Sequence, residues 1–178
     1  EAGDVTPTRV VLIVGNESSP NSQEAARRAQ LIDWGYEVTL VSANASQSRF
    51  DELAQETDVF WVSETISSGH LNDKLLNTGC GVVNEERALY DDLKLTSGQA
   101  NEYNDSRIEL TDVSHYITAS LTGQLITVFG QSQKMQYVGE SALPSGAQVL
   151  ATNPNNDEPA LIVVEAGSAL QEGTAAGR

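Results

Sequence analysis

The side chains able to do chemistry fall into a few small groups along the 178 residues. Glu85-Glu86 and Asp91-Asp92 lie close together, and Glu17 stands in a polar loop near the start. Paired carboxylates at the mouth of a sheet can act as general acid and base on a sugar, or hold a calcium ion. The same four acids around Arg87 also describe a solvated helix face, where exposed ion pairs contribute little. A second group joins the single cysteine, Cys80, to the two histidines, His70 and His115. These are the residue types of a thiolate nucleophile and its base, but their spacing matches no catalytic motif, and a small core residue is the plainer reading of Cys80. His115 follows Asp112 by three, a spacing that serves a functional base or, more simply, a capped helix start.

The third group is the loop Asn16-Glu17-Ser18-Ser19-Pro20. Backbone amides and serine hydroxyls at a helix N-terminus can cradle a phosphate. This loop has no Lys and carries Glu17, so capping the next helix is the simpler role. Tyr103, in the Thr, Ser, Gly and Asn-rich stretch 94–106, is a candidate lid aromatic for a saccharide ring. The ligand-binding candidates are thus Asn16, Glu17, Ser18, Glu85, Glu86, Tyr103 and His115. No catalytic residue or metal ligand is assigned, and no cofactor is called for. Sequons at Asn16, Asn44 and Asn104 fall where the pattern reads as loops, which is what glycosylation needs.

The elements that must position these groups follow from periodicity. Val10-Val11-Leu12-Ile13-Val14 is a strand buried on both faces, a pattern that requires helices over a parallel sheet. Asn16, Ser18, Ser19 and Asn21 all offer caps for the next helix, Pro20 suits its first turn, Ala25, Ala29, Leu31 and Ile32 make its apolar stripe, and Gly35 stops it. Strands follow at 36–41, 58–63 and 80–83, with helices at 49–56, capped by Ser48, and at 67–77, where Leu71, Leu75 and Leu76 share a face. Residues 85–93 make one or two helical turns with Leu89, Tyr90 and Leu93 inward. Strand, helix, strand at this spacing marks right-handed βαβ units. The second half reads as a loop at 94–106, one helix at 113–121, and short strands at 107–110, 124–129, 134–138, 148–151 and 160–165. Those strands form either an antiparallel extension of the main sheet or a small flanking sheet.

Composition narrows the partners. Ten basic against twenty-five acidic residues give a net charge of −15, which opposes nucleic acid and anionic membranes. No apolar run has spanning length, so membrane insertion is not expected. One cysteine excludes an intrachain disulfide and a multi-cysteine zinc site. The dispersed acid, the scarcity of Lys and the Asn and Ser content suit a secreted or salt-adapted protein, and the expected location is extracellular or at the cell surface.

Several segments carry a resemblance in order and spacing: 11–16 before the Ser/Pro/Asn loop, Trp34-Gly35-Tyr36-Glu37-Val38, Asp58-Val59-Phe60-Trp61-Val62-Ser63, Leu89-Tyr90-Asp91-Asp92-Leu93, Thr111 to Ile117, and Glu158-Pro159-Ala160. The chain resembles the flavodoxin-like, class I glutamine amidotransferase-like superfamily, nearest to its trehalose-utilisation-protein-like branch, over roughly 8–178. The resemblance implies a nucleophilic Cys on a sharp turn after a central strand. Here Asn84-Glu85-Glu86 follow Val82-Val83, and Cys80 comes before the strand. It also implies a His-Pro-Ile segment, and this chain has His115-Tyr116-Ile117. Family members continue past a Gly-Arg pair into one more strand, where this sequence stops at Gly177-Arg178.

The expected architecture is an α/β three-layer sandwich with a mainly parallel flavodoxin-like sheet in the order 2-1-3-4 and antiparallel additions in the C-terminal half. Residues 1–7 read as a lead-in or linker, and 8–178 as a single α/β domain with a final strand missing or supplied by another chain. The expected function is a non-catalytic binding or assembly module of a secreted or surface protein. It would self-associate or pair with another polypeptide through a sheet edge, in the lane beside Ala160 to Glu165. The alternatives are a carbohydrate-active enzyme using Glu17, Glu85 and Glu86, and, more distantly, a flavin-binding protein.

Overall fold

A computed structural model describes residues 6–176 and groups them into two compact units, one reaching to Leu89 and one from Tyr90 to Ala175. Of the lead-in expected at 1–7, residues 1–5 lie outside the described residues. The chain is mixed α/β, with one parallel sheet in the first unit and antiparallel sheets in the second.

The first unit contains β1 (Arg9–Val14), α1 (Ser22–Asp33), β2 (Glu37–Ser42), α2 (Gln47–Ala54), β3 (Val59–Val62), α3 (Ser68–Leu71) and β4 (Gly81–Asn84). Its sheet runs β2-β1-β3-β4, all parallel, in the order expected from the sequence. The continuous apolar run sits in the middle lane, with Leu12 opposite Leu40 on one side and Trp61 on the other. Val10 to Val14 are all buried, which is why the run has no polar alternation. Gly35, at φ +90°, ends α1 in the left-handed conformation that glycine adopts without a Cβ penalty.

The face that α1 buries differs from the expected stripe. Ala25, Ala29 and Ile32 are exposed, whereas Glu24 and Leu31 are buried and Arg27 is half-buried. Residues 24, 27 and 31 do share a helical face, but two of them are charged, and the apolar pattern could not display it. Ser46, not Ser48, caps α2, accepting the Arg49 N–H at 3.3 Å. The helix expected over 67–77 is one turn of α3 followed by tighter turns. Leu71 and Leu75 are nevertheless buried as the pattern requires.

The second unit contains β5 (Asn101–Asp105), β6 (Arg107–Leu110), β7 (Leu125–Thr127), β8 (Gln133–Tyr137), β9 (Ala147–Thr152) and β10 (Pro159–Val164). Four strands form an antiparallel sheet in the order β10-β9-β6-β7, and β5 pairs with β8 in a separate ribbon. The antiparallel strands therefore make sheets of their own and do not extend the parallel one. The loop expected at 94–106 contains β5, held by an edge-on Tyr103–Tyr137 contact with ring centroids 5.9 Å apart and by the diagonal pair Glu102–Lys134 at 3.0 Å. The helix expected over 113–121 is a set of turns. The Thr118 hydroxyl donates 2.6 Å to the Asp112 carbonyl, local competition of the kind that breaks helices.

Asp105 is the polar knot of this unit. Its Oδ1 accepts from the Ser106 N–H at 2.7 Å, the Arg107 N–H at 3.1 Å and the Arg107 Nε at 3.1 Å, and its Oδ2 accepts from Asn155 Nδ2 at 3.3 Å. The Arg107 guanidinium, then the Ser106 amide, hold its carboxyl down from 3.8 to about 2. A folded value below the unfolded one means that the stabilisation is full above pH 4 or so and is lost as pH falls toward 2. Urea midpoints from pH 6 to 2 should therefore drop along this limb, and Asp105→Asn should flatten the drop while lowering the neutral-pH midpoint. A second expectation concerns Gly146, where an added Cβ would overlap the backbone N and O of Ala169. Gly146→Ala should cost about 1–3 kcal/mol, read as a lower melting temperature at unchanged far-UV spectrum.

Candidate functional site

In open parallel sheets ligands bind beyond the carboxyl ends of the strands. Here that rim carries Gly15 to Ser19 after β1, Ser42 at the end of β2, Ser63 to Thr65 after β3 and Glu85 after β4. Its organising residue is Glu24, which is 2% exposed. Glu24 Oε1 accepts the Gly15 N–H and the Thr65 hydroxyl, each at 2.8 Å, and Oε2 accepts the Asn21 N–H at 2.8 Å. Asn21 returns the contact: its Oδ1 takes the N–H groups of Gln23 and Glu24 at 2.9 and 3.0 Å, completing a capping box, and its Nδ2 donates 2.9 Å to Thr65 Oγ1. The amides of Gly15, Asn21, Gln23 and Glu24 are thus bonded to the protein's own side chains.

The loop above this knot is closed on itself. Asn16 Oδ1 accepts the Ser18 N–H at 3.0 Å, and the Asn16 carbonyl accepts the Ser19 N–H at 3.2 Å. Glu17 turns toward β2, accepting the Ser42 N–H at 3.0 Å, while the Ser42 hydroxyl donates 3.2 Å to the Gly15 carbonyl. At the far lane, Glu85 Oε1 lies 2.6 Å from Arg27 Nη2, and the same guanidinium sits 5.1 Å above the Trp61 ring. Burial pushes the Glu85 carboxyl up, Arg27 and the Trp61 N–H oppose this, and Glu64 adds to the rise. Glu86 caps the next turn instead, its Oε1 accepting the Ala88 N–H at 2.9 Å.

Of the sequence candidates, Asn16, Glu17 and Ser18 stand at the end of β1 and Glu85 and Glu86 at the end of β4, along one rim of one sheet. Tyr103 and His115 belong to the second unit. Tyr103 is a strand residue of β5, not part of a loop. The capped helix start expected at Asp112 to His115 is a turn, in which Asp112 Oδ1 accepts the N–H and hydroxyl of Ser114 at 2.8 and 2.7 Å, and His115 bonds elsewhere. Its Nδ1 accepts the Ile117 N–H at 3.3 Å, and its Nε2 lies 3.2 Å from Glu165 Oε1. Cys80 is buried with its thiol 3.1 Å from the carbonyls of Ala54 and Thr57, the environment of a packed core residue. Asn16 and Asn44 are exposed in turns, while Asn104 is an exposed residue of β5.

Sequence reasoning missed Glu24, Arg27 and Glu64. The spacing Asn21-x-x-Glu24 was the available signal for the first, and Glu64 follows β3 as Glu85 follows β4. Among the described residues no group of three His, Cys, Asp or Glu is placed to hold a metal ion, and no helix is long and apolar enough to cross a membrane. No protein-family model and no curated protein matches the chain.

Removing the Glu24 carboxyl leaves three donors without their acceptor. Glu24→Ala should cost about 3 kcal/mol or more, and Glu24→Gln, which keeps one acceptor oxygen, about 1–2 kcal/mol. Urea unfolding followed by tryptophan fluorescence measures both.

Proposed function

We propose that the protein is a non-catalytic binding or assembly module of a secreted or surface protein. In this reading the first unit is a sandwich of the flavodoxin-like, class I glutamine amidotransferase-like superfamily, with helices on both faces of its parallel sheet. The four parallel strands in the order β2-β1-β3-β4, with a loop and helix N-terminus at the end of β1, support that relationship. The observation that carries the functional reading is the filled rim. Glu24 and Asn21 consume the amides where flavodoxin-like proteins take a phosphate, and Asn84-Glu85-Glu86 occupy the turn where an amidotransferase needs its nucleophile.

A module without chemistry acts through its surfaces, and sheet edges are the surfaces that recruit another chain. The partner is a second copy or another polypeptide, and the exposed sequons Asn16 and Asn44 suit an extracellular setting. One observation favours a carbohydrate-active enzyme as the second reading: Glu85, with its raised carboxyl and Glu64 nearby, has the character of a general acid.

Native mass spectrometry and a panel of glycosides separate the two. The module reading expects masses at multiples of 19.0 kDa, or a complex with a second polypeptide, and no turnover. A monomer that hydrolyses a sugar, with the activity lost in Glu85→Gln, sinks it.

A further inference from the structure

Residues 113–133 contain no Asp, Glu, Lys or Arg in a chain of net charge −15. The same stretch exposes Val113, Tyr116, Ile117, Leu121, Leu125, Val128 and Phe129, seven of the large apolar residues that reach the surface. Within it lies β7, whose one strand neighbour among the described residues is β6. The ladder fixes which groups point outward. The Leu110 N–H bonds the Gln124 carbonyl at 2.7 Å and the Val128 N–H bonds the Ser106 carbonyl at 2.8 Å, so the even-numbered residues of β7 bond to β6. Leu125 and Thr127 therefore aim their N–H and C=O groups away from the sheet.

We infer that two copies of the chain pair through β7, antiparallel, with Ile126 facing Ile126 of the second copy across a two-fold axis. The inference rests on the assembly reading and names its interface. In this register Leu125 of each copy meets Thr127 of the other, and all four outward groups on each side find partners. The four-stranded sheet becomes a continuous eight-stranded one.

Charge selects a second copy as the occupant. Two molecules of net charge −15 repel wherever their acidic surfaces meet, and this edge brings only uncharged side chains together. The nearest carboxylate on the neighbouring lane, Glu109, is held by Gln124 Nε2 at 2.6 Å. It would stand three lanes from its copy, about 14 Å, beyond the screening length of about 8 Å at physiological salt.

The other edge of this sheet is defended. β10 begins at Pro159, carries register shifts between 159 and 162, is flanked by Glu158 and Glu165, and has its first carbonyl bonded by the Val138 N–H at 2.9 Å. None of these devices occurs on β7.

The test uses the full chain, with mass measured over a concentration series for the wild type and two variants. Thr127→Pro removes an outward N–H that β6 does not use, and Leu125→Lys puts a charge at the axis-proximal edge. The wild type should dimerise, and both variants should weaken the dimer by about 100-fold at unchanged circular dichroism. Should Thr127→Pro fail to fold, Leu125→Lys decides. Ile126→Cys should give a reducible covalent dimer, because directly opposed, non-hydrogen-bonded residues lie about 4.5 Å apart, within disulfide reach. A wild type that is monomeric at its highest soluble concentration overturns the inference. So does a folded Leu125→Lys that remains fully dimeric, which would leave the assembly reading standing with another interface. Sugar turnover lost in Glu85→Gln would instead overturn the assembly reading itself.

Discussion

Burying one carboxyl group without a cation beside it is costly unless its oxygens are satisfied, and Glu24 meets that condition only in one arrangement of the surrounding chain. The Gly15 amide must arrive from the end of β1, the Asn21 amide from the start of α1, and the Thr65 hydroxyl from beyond β3. Three separate segments are thereby held to a common point. The direction in which α1 leaves the sheet, the closed form of the loop at 16–20 and the turn after β3 all depend on it. The amides of Asn21, Gln23 and Glu24 at the start of α1 are bonded within the same knot, so the capping of the helix and the anchoring of the three segments have the same cause.

The fold of the first unit was legible where its physics is hydrophobic. A five-residue apolar run, four of whose members are β-branched, fits a central parallel lane buried on both sides, and the flavodoxin-like resemblance implied the order 2-1-3-4 around it. The candidate site was less legible because its main residue is polar and buried, which is the one combination a hydropathy pattern assigns to the surface. Ala25, Ala29 and Ile32 made a convincing stripe, yet alanine gains little from burial. The carboxyl of Glu24 with its three partners, and the Arg27 contact with Glu85 and Trp61, turned the other face inward. The capping spacing Asn21-x-x-Glu24 was in plain view and would have placed Glu24 beside the loop.

In the second unit the misreadings have tertiary causes. Asn101 to Asp105 have poor strand propensity, and what makes them a strand is Tyr137 packed against Tyr103 and Lys134 paired with Glu102, contacts formed across some thirty residues of chain. Val113, Tyr116, Ile117 and Leu121 repeat at helical spacing, but they remain exposed, so burial does not reward a helix here. The buried Thr118 hydroxyl donates to the Asp112 and His115 carbonyls, and His115 lies against Glu165. Local polar bonds decide the backbone wherever apolar burial offers nothing.

The same balance explains why the sheet edges of one unit are treated so differently. A strand edge left bare is a liability, and an acidic chain has a ready defence in placing carboxylates beside it, as Glu158 and Glu165 stand beside β10. An uncharged, apolar edge in such a chain forgoes both the defence and the solubility that charge confers. Leu125, Val128 and Phe129 are each exposed by 40% or more, so part of their apolar surface stays in water in the isolated chain, at a hydrophobic cost. That cost is relieved when another strand covers them. The lack of charge from 113 to 133 both leaves β7 undefended and, in the pairing inferred above, spares a second molecule of the same sign any repulsion at that edge.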